Sequence, residues 1–279
     1  MGAVTKFHHL DCCTMCPILG SGPSGHLVAH VLAVETERSG IVLVDTGIGT
    51  EGRADPVHQL GWPFAKLFRP DLDPARTAKA QLVGLGLDPA DVRHIVVTHL
   101  DVDHAGGLAD FPEATVHVHA TELDKAQHRP TMAEKTRYRP IQWAHGATFE
   151  TYEQTGEAWF GFDAVHALAG LPEEILAIPL PGHSHGHAAI AVDGPGGWLL
   201  HCGDAYFDQH VVRPSAPAGS AAVRRFEQMV AVDRKRVAAN HARLRDLVAS
   251  HGGEIEVFSA HDTREFDRLA AASAADPAA

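Results

Sequence analysis

His99-Leu100-Asp101-Val102-Asp103-His104 decides the reading of this chain: six residues carry four potential metal ligands, and Gly106 and Gly107 follow after one alanine. The preceding run, His94-Ile95-Val96-Val97-Thr98, is apolar and β-branched, as a buried strand is. Ligands set where a strand breaks into a Gly-rich turn can converge on one point, which neither a strand nor a helix alone allows. Imidazole and carboxylate side chains suit zinc, iron or manganese, so the stretch predicts a site for a first-row divalent ion.

Three further groups stand in similar settings. Pro181-Gly182-His183-Ser184-His185-Gly186-His187 follows the apolar segment Ile175 to Leu180. Leu199-Leu200-His201-Cys202-Gly203-Asp204 ends the segment from Trp198 to His201, and Val257-Phe258-Ser259-Ala260-His261-Asp262 ends the segment from Glu254 to Ser259. Strand ends, where rigid scaffold meets loop, are the usual place for a site. His26 to Val34, Ile41 to Val44, His94 to Val97, Thr115 to His119 and His187 to Val192 also read as strands. Helices are expected over Pro74 to Leu85, with Asp73 as N-cap and proline in the first helical position, and over Ser220 to Val230 and Asp233 to Ser250. Short turns early in the chain, with helices packed outside, predict an α/β sandwich of two sheets.

At 279 residues the chain can bury a sizeable core. One domain is expected over residues 1–270, with an aromatic-rich insertion around 130–162 and a frayed tail over 271–279. A net charge of −12 argues against nucleic acid, because phosphate binding rests on clustered Lys and Arg. The arginines between Val223 and Arg245 read as a solvated helical face. The start lacks a signal's apolar run and no stretch approaches a membrane span, so a cytoplasmic protein without a membrane partner is expected. There are 21 histidines, far more than one site can use, so each ligand assignment needs its own local argument. Cys12, Cys13 and Cys16 suggest a zinc knot, but a closed site wants four ligands; ordinary thiols, on a loop that lines the cleft, are the preferred reading.

Taken together, Val44-Asp45-Thr46-Gly47, Thr98 to Gly107, Pro181-Gly182-His183 with Gly186-His187, Gly203-Asp204-Ala205 and Ala260-His261-Asp262 resemble, in order, the motifs of the metallo-β-lactamase-fold metallohydrolases. The resemblance spans roughly residues 26 to 265. It implies an αββα sandwich of two mixed β-sheets flanked by helices, holding two divalent metal ions, zinc first, with iron or manganese as alternatives. One ion would be held by His99, Asp101, His183 and Asp204, the other by Asp103, His104, His261 and the bridging Asp204. The family pattern has histidine where this chain has Asp101, which raises the negative charge of the first site and opens a mononuclear alternative. His187 is expected to pack behind the ligands, and Asp45 to brace their loop by accepting backbone N–H bonds. His185 is expected at the surface or in the cleft.

The chemistry implied is hydrolysis by a metal-bridging hydroxide, with Asp103 carrying the proton to the leaving group and Tyr206 donating to the oxyanion. Among branches the chain looks nearest to the quorum-quenching N-acyl homoserine lactonases, so a lactone or carboxylic ester is the expected substrate. Trp62, Phe64 and Phe68 are expected to form an apolar lid over it. Tyr138, Trp143, Phe149, Tyr152, Trp159, Phe160 and Phe162 are read first as packing, and second as cleft wall or subunit contact. The expected partner is a small-molecule substrate, with a homodimer as the candidate assembly. A glyoxalase-II-like thioesterase and a non-haem diiron redox protein related to flavodiiron proteins are the alternatives.

Overall fold

In the computed structural model, which describes residues 3–17, 26–153 and 156–275 and omits the side chains of 163–166, twelve strands form two six-stranded sheets. The first runs in spatial order β1 (Val4–Asp11), β2 (His30–Thr36), β3 (Ile41–Val44), β4 (Val92–Val96), β5 (Thr115–His119) and β6 (Thr148–Tyr152). The second holds β7 (Glu157–Trp159), β8 (Phe162–Ala167), β9 (Ile175–Pro179), β10 (Ala188–Gly194), β11 (Gly197–His201) and β12 (Ile255–Phe258), again neighbours in chain order. In the first sheet β3 to β6 pair in parallel and β1 to β3 antiparallel. In the second only β11 and β12 are parallel. Both sheets are mixed, as expected.

Helices α1 (Thr50–Ala54), α2 (Pro56–Leu60), α3 (Trp62–Leu67) and α4 (Ala78–Gly84) lie between β3 and β4, and α5 (Val102–Ala105) opens just after β4. Next, α6 (Ala120–His128) and α7 (Met132–Arg137) join β5 to β6. Finally α8 (Ala221–Val230) and α9 (Arg234–His251) lead into β12, and α10 (Thr263–Ala275) follows it.

Strand β3 shows why the strands read as unbroken apolar runs. Val42 and Val44 face the second sheet with Ile190, Val192 and Phe258, while Ile41 and Leu43 face outward onto Ala78 and Leu82 of α4. A strand covered on both faces has no polar side to alternate with. The second sheet repeats the pattern: Ala188, Ile190 and Val192 point inward, and Ala189 and Ala191 pack with Leu244 and Leu247 of α9. Most of the α8 and α9 arginines lie at the exposed or half-buried face opposite, as a solvated face does.

Several sequence expectations change. Pro74 to Leu85 is not one helix: a 3₁₀ turn over Pro74–Arg76 stops at Thr77, whose hydroxyl accepts from Ala80 N at 3.1 Å and starts α4 anew. The span 130–162 contributes strands to both sheets, β6 pairing with β5 and β7 with β8. Its aromatics pack: Tyr138 is buried with Trp143 and Phe149 under the first sheet, Tyr152 lies between the sheets, and Phe162 is buried with Trp159 and Phe160 outside the second. The tail is helical through Ala275, because Leu269 of α10 is buried against the inter-sheet core; residues 276–279 lie outside those described. β1 and α10 were not foreseen.

Near one edge of the sandwich, His9 Nδ1 lies 2.7 Å from His30 Nε2, beside Phe258. Burial first, then the neighbouring His201, pushes the His9 pKa from 6.5 down to about 3. A base depressed in the fold contributes stability that is present above its unfolded pKa and lost as pH falls toward its folded one. Stability is therefore expected to decline between pH 6.5 and about 3, by at most about 1.4 kcal/mol per pH unit for this one group. Urea unfolding at pH 7, 5.5 and 4 checks this: His9→Gln is expected to shallow the acid slope, and an unchanged slope would refute the assignment.

Candidate metal centre

All the ligand loops leave their strands at one end of the sandwich. His99 follows β4, His183 follows β9, Asp204 follows β11 and His261 follows β12. Their ligating atoms, with those of Asp101, Asp103 and His104, form three overlapping groups: His99–Asp101–His183, His99–His104–Asp204 and Asp103–His104–His261. Within each, the donor atoms lie within 4.8 Å of one another.

Asp204 stands between the groups. Oδ2 lies 3.3 Å from His183 Nε2 and 3.9 Å from His99 Nε2, Oδ1 lies 3.1 Å from His104 Nε2, and His261 Nε2 lies between the two oxygens, 3.1 Å from Oδ1 and 3.2 Å from Oδ2. Asp101 Oδ2 completes the first group, 3.1 Å from His183 Nε2 and 3.3 Å from His99 Nε2. Asp103 Oδ2 stands 3.7 Å from His261 Nε2 in the second.

The far side of each imidazole decides which nitrogen faces inward. His104 Nδ1 donates to Asp45 Oδ2 at 2.8 Å, and His261 Nδ1 to the Val28 carbonyl at 2.7 Å. His99 Nδ1 lies 3.0 Å from Thr98 Oγ1, which itself donates to Asp45 Oδ2 at 2.9 Å. With each Nδ1 engaged behind the ring, Nε2 is the nitrogen that faces the centre, the usual role of such partners. Asp45 also accepts from Thr98 N at 2.7 Å, so it braces the loop from a positive φ of 60°, tolerable for Asp. His187 donates from Nδ1 to the Leu180 carbonyl at 3.1 Å, and its Nε2 accepts from Asp204 N at 3.0 Å. Gly203 makes room for this: with φ +50°, a Cβ there would lie 2.8 Å from His187 Nε2 and from Thr98 Oγ1.

These residues fit divalent ions. His99 Nε2, His104 Nε2 and Asp204 Oδ1 are buried, face one another and have no hydrogen-bond partner among the described residues. Buried acceptors aimed at one point want a cation between them. The electrostatics agree. Burial alone would lower the His104 pKa, but the Asp204 and Asp45 carboxylates hold it well above the usual value. Against its own burial, Asp204 is held well below the carboxylate range by His261, His104 and His183.

The residue at the departure from the family pattern has its own counter-charge. Arg137 Nε lies 3.1 Å from Asp101 Oδ1, while its other nitrogens donate to the His183 and Val230 carbonyls, each at 2.7 Å. Despite burial, this guanidinium first, then His99, keeps the Asp101 carboxyl well below its usual pKa. Glu122, fully buried at the start of α6, clips the two ligand loops together. It accepts from Leu100 N at 3.1 Å, Ser184 Oγ at 2.8 Å and Gly186 N at 2.9 Å. A Cβ at Gly186 would come within 2.4 Å of Glu122 N, so the loop closes only with glycine there. Neither Arg137 nor Glu122 carries a signal in its local sequence.

Asp101, Asp103, His183, Asp204 and His261 line the floor of a cleft of about 1210 Å³. Trp62, Phe64 and Phe68 line it too, as expected of a lid, and Trp62 is 61 % exposed. Phe64 stacks on Phe68, which meets Phe226, which meets Phe207 against His261, so an apolar wall runs from the mouth to the ligands. Phe207 and Phe226 were not foreseen. His185 lines the cleft, as does Met15 of the N-terminal loop. Tyr206 is a correction. Its hydroxyl donates to Glu265, 3.1 Å from both oxygens, and the ring is buried under the second sheet, so no oxyanion donor comes from it. Two positions after Asp204 the chain has turned back into the core. Cys12 and Cys13 sit buried in separate apolar clusters, and among the described residues no candidate metal group includes a cysteine.

The family model described as the metallo-beta-lactamase superfamily matches residues 25–251. The probable metallo-hydrolase Rv2300c of Mycobacterium tuberculosis is 41% identical over 263 residues, 94% of this chain and 81% of that protein. The N-acyl homoserine lactonase AttM of Agrobacterium fabrum is 28% identical over 170 residues, 57% of this chain and 58% of that protein. Among solved structures, a mutant of AiiA from B. thuringiensis with N-decanoyl-L-homoserine bound at its active site superposes with a TM-score of 0.71. That match covers 96% of this chain and 97% of the other at 20% identity, and shows a shared fold. With its two mixed sheets, its ligand loops gathered at one end and these matches, the chain belongs to the metallo-β-lactamase superfamily and is a metallo-hydrolase.

Proposed function

We propose that this protein is a dinuclear hydrolase that opens a lactone or cleaves a carboxylic ester bearing an apolar acyl group. The observation that carries the reading is the place of Asp204 between two histidine clusters at the foot of an aromatic-walled cleft, with Oδ1 3.1 Å from His104 Nε2 and Oδ2 3.3 Å from His183 Nε2. His99, Asp101, His183 and Asp204 would hold one ion, and Asp103, His104, His261 and Asp204 the other. Zinc is the first candidate, with iron or manganese as alternatives. Divalent ions bound there would supply Lewis acidity for a carbonyl and lower the pKa of a bound water to about 7.

The chain's residues do the rest. Asp103, buried at the floor of the cleft, is the carboxylate placed to take the nucleophile's proton and return it to the leaving alkoxide. Trp62, Phe64 and Phe68, with Phe226 and Phe207, bury the acyl portion and keep bulk water from the reacting carbonyl. The lactonase relatives favour a lactone over an open ester.

The test is a hydrolysis panel on zinc-reconstituted protein, comparing N-acyl homoserine lactones of increasing chain length, aryl esters and an acyl thioester. Lactone opening whose kcat/KM rises with acyl length is expected. Preferred thioester turnover would move the assignment to the thioesterase class, and no turnover on the panel would refute it.

A further inference from the structure

The carboxylate of Asp101 brings a second negative side chain into the first cluster beside Asp204, and the fold answers it with a buried cation. Only 14 % of the Arg137 side chain is exposed. Its guanidinium is a planar fork that cannot deprotonate. Two of its nitrogens are committed to the His183 and Val230 carbonyls, which fixes the plane and holds Nε at an ion-pair distance of 3.1 Å from Asp101 Oδ1. That pairing leaves Oδ2 for the histidines, at 3.1 and 3.3 Å. The same guanidinium also stands 3.3 Å from His183 Nε2, the ligating nitrogen. A cation so close repels a metal ion unless an anion lies between them. Asp101 is that anion. Each member of the pair is thus unfavourable without the other: the carboxylate alone overloads the cluster with negative charge, and the arginine alone opposes the ion.

We propose that Arg137 is the positioning residue of the first metal cluster, which fits it to Asp101 by balancing the carboxylate's charge, presenting Oδ2 and tying both to the His183 loop. The proposal rests on the dinuclear reading above, and its readout is metal affinity rather than turnover.

Chelator-stripped parent, Arg137→Met, Asp101→His and the double variant are each titrated with zinc alone against a chromophoric competitor. The parent is expected to take two zinc ions. Arg137→Met is expected to hold one of them about 10–100-fold more weakly, the usual effect of losing a ligand's supporting partner, and to keep the other. Asp101→His, which leaves the guanidinium unopposed, is expected to lose affinity at the same ion. The double variant, neutral at both positions, is expected to recover it, so that the two substitutions are strongly non-additive. If Arg137→Met also disturbs folding, the double variant decides: recovery upholds the pairing, and continued loss overturns it. Parent-like binding of both ions by Arg137→Met, or effects that simply add, would overturn the proposal alone. A parent that takes fewer than two ions would overturn it together with the dinuclear reading.

Discussion

Asp204→Ala is expected to lose both metal ions and hydrolysis together. Among the described residues no other side chain offers an oxygen to each group: Oδ2 faces His183 and His99, and Oδ1 faces His104. Removing it takes a ligand from both proposed ions at once and strips His104 Nε2 of the carboxylate 3.1 Å away. Elemental analysis is expected to fall from near two ions per chain to below one. The rate is expected to fall by at least about 1000-fold, roughly 4 kcal/mol of lost transition-state stabilisation. His261→Ala is the informative comparison, because its Nε2 serves the second group alone in the proposed set; there the ratio is expected to settle near one. Equal loss in the two variants would mean that the ions bind cooperatively. Full retention in Asp204→Ala would remove the bridge from the description of the site.

Glu122→Ala is expected to cost about 3–5 kcal/mol of stability, although the residue touches no ligand atom. Three donors point at this one buried carboxylate: Leu100 N, Ser184 Oγ and Gly186 N. Stranding a buried donor costs about 1–3 kcal/mol, and three that share one acceptor relax together, so the total is less than their sum. The consequence is more than stability. Leu100 stands between His99 and Asp101, and Ser184 follows His183, so the clip sets the spacing of the first cluster. Denaturant unfolding measures the first effect, and zinc affinity, expected to weaken about 10–100-fold, the second. Glu122→Gln keeps one acceptor oxygen and should fall between the two. A variant with lost stability but parent-like zinc affinity would reduce Glu122 to scaffolding.

The candidate ligands were legible because each sits in a local pattern that suits metal binding. His99, Asp101, Asp103 and His104 are packed into six residues, and His183, Asp204 and His261 each follow an apolar run and sit beside glycine or alanine. Asp45 and His187 were legible from their place in the motifs, and the structure gives them the bracing contacts expected. Tyr206 was misjudged because adjacency in sequence says nothing about which way a turn sends the next side chain. Strand β1 was missed because its burial is irregular, half-exposed histidines sitting among Val4, Phe7 and Leu10. Helix α10 was missed for a different reason: its alanine-rich end looks like a tail until Leu269 finds the inter-sheet core.

What the sequence determined by itself is the set of groups that can bind a metal and the alternation of apolar runs that builds two doubly covered sheets. Both are local, since a ligand's chemistry belongs to its side chain and a strand's burial shows in its own composition. The tertiary structure alone decided which charges face one another. Arg137 is 36 residues from Asp101 and Glu122 is 62 from Ser184, and none of these positions constrains its partner through the chain. They meet because α6 and α7 pack across the ligand loops, and in a buried site a charge is tolerated only where the fold brings its partner.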